Sequence, residues 1–206
     1  MTQPPDSYLT LGGLGNDELK VQRSRFVASA GPAATEDDAR EFIAAMNRRY
    51  HDSRHVCFAF RLGLGDDAVE IRGDDGEPSG TAGEPILLAI RGAGLTDAVV
   101  AVARYFGGVK LGTGGLTRAY GGVAATAIEQ APRRTVLLGR LFALTFDYNQ
   151  QKTVQHLLEA HGGRTDHEDY GVRVDWRIWL PHSTGEVFTA AIREASANRI
   201  EVRPLG

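Results

Sequence analysis

Residues 101–127 read AVARYFGGVKLGTGGLTRAYGGVAATA, an apolar run that opens into seven glycines interleaved with Arg104, Lys110, Thr113, Thr117 and Arg118. Glycine loses more backbone freedom on folding than any other residue. This density therefore calls for positive φ or for close approach of the backbone to another group. The pattern predicts a buried strand over 98–106, a glycine-rich turn, and a helix over 115–130. Within that helix Gly121 and Gly122 each cost about 1 kcal/mol relative to alanine, which predicts a close neighbour on their face.

Upstream, DDGEPSGTAGEP at 74–85 is a second glycine-rich stretch of opposite charge. Pro85 suits the first turn of a helix over 86–91, where its missing N–H is not needed. Strands are expected at 54–62 and 68–72. A helix over 35–50 is expected from Thr35 as N-cap, Glu36, Asp37 and Asp38 at the positive end of the dipole, and Ala39, Phe42, Ile43 and Met46 as the apolar stripe. KVQRSRFVASA at 20–30 reads as one strand, with Val21, Arg23, Arg25 and Val27 on one face.

Downstream of about Arg134 the pattern changes. It gives a strand over 139–146, a helix over 149–160, strands over 164–168 and 172–180 joined by a turn at 169–171, a helix capped by Ser183 or Thr184, and a last strand over 199–203. This β-α-β-β-α-β succession is the split βαβ, or ferredoxin-like, unit. Two α+β domains are expected, 1–134 and 135–206, with no low-complexity linker.

With 206 residues, 42% hydrophobic and 24% charged, the composition is that of an ordinary globular chain. No apolar run approaches the roughly 20 residues of a membrane span. The stretch MTQPPDSYLT lacks the features of a secretory signal, so a cytoplasmic location is expected. Cys57 as the single cysteine excludes an intrachain disulfide and a cysteine-based zinc site. The net charge of −3 speaks against nonspecific nucleic-acid binding by the whole chain, but residues 61–100 carry a net −5 and residues 101–140 a net +5. The blocks either focus a local field or neutralise each other in space.

Several residues invite chemical readings. The run Gly107 to Gly115 can hold an anion at the N-terminus of the following helix, assisted by Lys110, Arg118 and Arg104. It has neither a Walker A ending nor dinucleotide-fold spacing, and tight turns with close packing account for the glycines equally well. Asp74, Asp75, Glu77 and Glu84 have the oxygen ligands that hard cations prefer. No EF-hand spacing is present, and a bend held by Asx-type hydrogen bonds explains them; no metal or cofactor is expected. His51, Asp52 and His55 lack a third zinc ligand on a shared face. His55 and Cys57, two residues apart on a strand, sit about 6.5–7 Å apart at Cα, too far for direct activation of the thiol. Arg23, Arg25, Arg54, His55 and Arg61 form either a basic strand surface or a salt-bridged sheet face.

Ser24-Arg25-Phe26, His55-Val56-Cys57-Phe58-Ala59-Phe60, DDGEPSGTAGEPIL at 74–87 and RYFGGVKLGTGGLTRAY at 104–120 together resemble the signature of the YigZ/IMPACT family. The likeness covers the first domain, and the β-α-β-β-α-β tail resembles the extra domain of the bacterial members. The resemblance implies a first domain like the second domain of a small-subunit ribosomal protein, an α/β sandwich also seen in elongation factor G. It implies a second domain like the last domain of that factor. It further implies kinship with eukaryotic translational regulators of the amino-acid-starvation response, and it carries no catalytic residues. Phe60 stands where the family commonly has arginine, with Arg61 next, and adjacent strand residues face opposite ways.

The expectation is a noncatalytic regulatory protein of translation or stress response that meets RNA, the ribosome or a translation-factor protein, and no membrane, through its glycine-rich basic surface. The anion-binding set is Arg25, His55, Arg104, Gly107, Gly108, Lys110, Gly112, Thr113, Gly114, Gly115 and Arg118. The motif loop is Asp74, Asp75, Gly76, Glu77, Ser79, Gly80 and Thr81. The alternative is an enzyme or small-molecule binder that recognises a phosphate-bearing ligand at Gly107–Gly115. A convergent pocket between the two motifs favours this alternative, and an open basic groove favours RNA.

Overall fold

The apolar run becomes β6 (Ala98–Tyr105), buried on both faces up to Arg104. Alternation sends Ala98, Val100 and Val102 into one core cluster and Val99, Ala101 and Ala103 into others. In the computed structural model, which describes residues 5–205, β6 is the centre of a five-stranded sheet. The strand order is β2 (Gly15–Val21), β3 (Ser24–Pro32), β6, β4 (His55–Leu62), β5 (Val69–Gly73), and every neighbouring pair is antiparallel.

α1 (Glu36–Arg49) covers one face. It starts as its sequence dictates, with Thr35 accepting from the Asp38 N–H and Asp38 accepting from the Thr35 N–H. α2 (Gly83–Gly92) and α3 (Gly112–Gln130) cover the other face, where Phe26, Ile86, Leu87, Ile90, Tyr120 and Ile128 form the main core.

The second sheet has the order β11 (Val202–Leu205), β8 (Gly139–Phe146), β10 (Val174–Pro181), β9 (Arg164–Tyr170), all antiparallel, with α4 (Gln151–Ala160) and α5 (Gly185–Ala195) completing the β-α-β-β-α-β unit. Alternate residues Phe142, Leu144 and Phe146 on β8, and Val174, Trp176 and Ile178 on β10, form its core with Val154, Leu158, Phe188 and Ile192 from the helices. The chain is thus α+β and divides into two units. One comprises Leu9–Thr135; the other joins residues 136–205 to residues 5–8.

Three local expectations are corrected. The stretch 20–30 is not one strand but a hairpin, in which Gln22 (φ 44°) and Arg23 (φ 68°) form the two-residue turn between Val21 and Ser24. Two consecutive positive φ values give the primed turn whose twist matches paired strands. β1 (Ser7–Leu11) and β7 (Arg133–Leu137), unforeseen in the sequence, pair as a two-stranded sheet. α3 begins at Gly112, three residues early. The neighbour expected at the helix glycines is an ordinary one: a Cβ on Gly121 would meet Pro85 at 3.5 Å, and one on Gly122 would meet nothing within 4 Å.

Candidate functional site

Arg104 lies two residues after Val102 on β6, so the pleat points it toward α2 and α3. There it is 5% exposed. Its Nη1 donates to Glu77 Oε1 at 2.5 Å, and the same oxygen accepts the Tyr120 hydroxyl at 2.8 Å. Nη2 donates to Ser24 Oγ at 3.4 Å. The guanidinium carbon lies 5.4 Å from the ring centre of Phe26 and 5.5 Å from that of Phe106. Its Nε has no hydrogen-bond partner.

Tyr120 also lies 3.4 Å from Cys57 Sγ, while the thiol donates to the Asp74 carbonyl at 3.0 Å. Burial pushes the Cys57 thiol up to about 12 and raises Tyr120 as well. Both stay neutral, so Cys57 is no nucleophile at ordinary pH.

The acidic loop directs its carboxylates inward. Asp74 accepts three backbone N–H groups, from Gly80 at 2.8 Å, Ala82 at 3.0 Å and Gly83 at 2.8 Å. Burial alone would raise its pKa, but these donors outweigh that and hold it below the usual carboxylate value. Asp75 Oδ2 accepts the Val56 N–H at 2.6 Å, and the Asp75 carbonyl takes His55 Nδ1 at 2.5 Å. A carbonyl only accepts, so Nδ1 carries a proton, and in the neutral tautomer this leaves Nε2 as the acceptor. Glu84 pairs with Arg72 at 2.8 Å. No group of three or more His, Cys, Asp or Glu side chains that could hold a metal ion occurs among the described residues.

The charge blocks meet sparingly. Glu70 pairs with Arg61 and Arg91 inside the acidic block, and among the described residues only Glu77–Arg104 joins the two blocks. Lys110 and Arg54, both exposed, have no ion-pair partner among the described residues. The local positive charge therefore survives folding.

The glycine-rich loop is shaped by what it touches. Gly107 donates its N–H to Ser24 Oγ at 3.3 Å, and a Cβ there would lie 2.1 Å from the Arg23 carbonyl carbon. The loop thus rests on the turn of the β2–β3 hairpin, which only glycine permits. Gly108 (φ +85°) and Gly112 (φ +68°) then turn the chain into α3. That helix starts after Leu111 with no side-chain cap, so its first N–H groups and the positive end of its dipole are offered to an acceptor.

Together the two motifs border a pocket of about 420 Å³, within the range of about 300–1,000 Å³ of small-molecule sites. Arg54, Arg104 and Lys110 supply its cationic side, with the His55 ring beside them; Pro78, Phe106, Leu111 and Leu116 supply its apolar side. Gly76 and Glu77 come from the acidic loop, Gly112 and Thr113 from the start of α3.

The remaining residues of the sequence-derived sets lie outside the pocket lining. Gly107, Gly108, Gly114 and Gly115 shape the loop and the first turn of α3. Arg118 is exposed beside Gly114. Asp74, Asp75, Ser79, Gly80 and Thr81 build the acidic loop, the Thr81 hydroxyl donating to the Pro78 carbonyl at 2.6 Å. Arg25 is one residue from Phe26 and so projects from the other face of the sheet, where it pairs with Glu18 at 2.8 Å and lies over Tyr105. The sequence alone does not mark Phe106, and it places Arg54 only on a strand surface. The available signal was strand periodicity: Phe106 is two residues from Arg104, and Arg54 immediately precedes β4.

No helix among the described residues is long and apolar enough to cross a membrane. Residues 22–128 match the Impact N-terminal domain, and residues 144–199 match a domain of unknown function (DUF1949). The chain is 33% identical over 186 residues to the IMPACT family member YigZ of Escherichia coli (strain K12), covering 89% of this chain and 90% of that one. It is 52% identical over 140 residues to an IMPACT family member of Thermus thermophilus, covering 68% and 74%. A crystal structure described as that of a hypothetical protein superposes with a TM-score of 0.67 at 29% identity, covering 98% of this chain and 99% of that one. Matched by the Impact domain through the pocket-bearing unit, and by relatives along nearly the whole length, the chain belongs to the YigZ/IMPACT family.

Proposed function

We propose that the protein is a noncatalytic, cytoplasmic, translation-associated regulatory protein that binds RNA by taking a phosphate group into the pocket between the acidic and glycine-rich motifs. The observation that carries this reading is the convergence of Arg54, His55, Arg104, Lys110 and the first turn of α3 on one pocket. The neighbouring carboxylates are meanwhile engaged in internal hydrogen bonds and ion pairs. Membership of the IMPACT family supports a regulatory, translation-related role. The β11-β8-β10-β9 order supports a likeness of the second unit to the last domain of elongation factor G. Likeness of the first unit to a ribosomal-protein domain belongs to the same proposal.

The test is an anisotropy titration of labelled single-stranded and structured RNA across a salt series, with the wild type and an Arg54→Ala/Lys110→Ala double variant. Arg104 is left intact because it is buried. Micromolar affinity that weakens with salt is expected, with the double variant weaker at every salt concentration and its salt slope shallower by roughly two charges. No binding at low salt would overturn the RNA reading. The concavity of the site favours one second reading, a protein that binds a small phosphate-bearing metabolite at the same place.

A further inference from the structure

We infer that the pocket accepts a single nucleotide unit, with its phosphate against Lys110 and the first turn of α3 and its base against Phe106. This rests on the phosphate reading above and specifies what the phosphate is attached to. A bare phosphate displaces only a few waters, each occupying about 30 Å³, and would leave most of the roughly 420 Å³ empty. It would also leave the apolar side unused. Phe106 is 39% exposed although it borders the pocket, and guanidinium carbons of Arg54 and Arg104 lie 5.7 and 5.5 Å from its ring centre. Aromatic rings and arginine planes are the surfaces on which nucleic-acid bases stack.

Arg104, 5% exposed, borders the pocket, but its unpartnered Nε is closed off from solvent and so is not offered to a ligand. His55, with Nδ1 engaged by the Asp75 carbonyl, has only Nε2 left, which accepts in the neutral tautomer. A phosphate dianion offers acceptors alone; a nucleotide adds donors on its ribose hydroxyls and exocyclic amines. The combination of an uncapped helix start, a cation, a ring and one remaining acceptor therefore fits a phosphate joined to a sugar and a flat base. That chemistry is shared by a free nucleoside monophosphate and by the 5′-phosphorylated end of an RNA.

Titration calorimetry on the full chain with inorganic phosphate, AMP and UMP tests the inference. Competition by a short oligoribonucleotide bearing a 5′-phosphate or a 5′-hydroxyl then identifies the source. The monophosphates are expected to bind about ten-fold more tightly than inorganic phosphate, the order of one base–aromatic stack. Phe106→Leu should abolish that preference, and Phe106→Trp should retain it. Displacement of AMP by the 5′-phosphorylated oligonucleotide but not by its 5′-hydroxyl form supports an RNA end as the source; failure of both to displace it supports a free nucleotide. Equal affinity for phosphate and monophosphates in the wild type overturns the nucleotide inference and leaves the phosphate reading standing. No binding of phosphate or monophosphate overturns both.

Discussion

Arg104 is a structural cation before it is a ligand-binding one. Its partner Glu77 has a side chain only 3% exposed, so removal of the guanidinium strands a carboxylate in the core. Breaking a buried pair from one side typically costs about 3–5 kcal/mol. Arg104→Met is expected to lower the urea-unfolding free energy by about that much. Adding Glu77→Gln should restore part of the loss, because the amide keeps an acceptor for Tyr120 without a charge. A cost below about 1 kcal/mol for Arg104→Met would show that the pair contributes little. Much of the site was legible at this scale, since the glycine-rich and acidic stretches and His55, Arg104 and Lys110 stand out by composition and spacing. What was not legible is that Arg104 is neutralised by Glu77. That pairing depends on β4 lying beside β6, with His55 opposite Arg104, and strand order is not written in local spacing.

Glycine density marks several different demands along the elements, and substitution separates them. A Cβ at Gly107 would collide with the Arg23 backbone at 2.1–2.2 Å, whereas one at Gly122, in mid-α3, meets nothing within 4 Å. Gly107→Ala is therefore expected to destabilise by at least about 1–3 kcal/mol, the usual cost of overpacking, and to weaken ligand binding by lifting the loop off the hairpin. Gly122→Ala should stabilise by about 0.5–1 kcal/mol through helix propensity alone. Thermal and urea unfolding of the two variants check this; opposite signs are required, and a stabilising Gly107→Ala would refute the packing account. The elements readable in the sequence were those with long apolar periodicity or a strong cap, such as β6, α1 and the strands and helices of the second unit. The hairpin at Gln22–Arg23 escaped because neither residue favours positive φ, so the turn is imposed by strand pairing and by Gly107 lying against it. β1 and β7 escaped because they pair with each other from far apart in the chain, and β7, almost wholly exposed, has no apolar alternation to mark it.

At the scale of the whole molecule, order along the chain and membership of a unit differ. Residues 5–8 group with residues 136–205, and Asp6 shows what they do there. Its carboxylate accepts the Ser183 hydroxyl and, at 2.7 Å, the Ser183 N–H, while its carbonyl accepts the Leu138 N–H at 2.7 Å. Ser183 lies two residues before α5, so Asp6, 177 residues away in sequence, anchors the approach to that helix, whereas the cap expected from Ser183 or Thr184 is not formed. The Ser183 hydroxyl, then its backbone N–H, hold Asp6 below the usual carboxylate value. A group whose folded pKa is depressed adds stability above its unfolded pKa of about 3.9 and loses it as pH falls through the folded value. Asp6→Ala is therefore expected to speed amide exchange at Ser183 and in the first turn of α5 at pH 7, leaving β3, β6 and α3 unchanged. The difference from wild type should shrink as pH drops below the carboxylate range. Hydrogen-exchange mass spectrometry at a series of pH values reads both effects. Faster exchange spread evenly over Leu9–Thr135 would mean that the first residues serve the pocket-bearing unit instead.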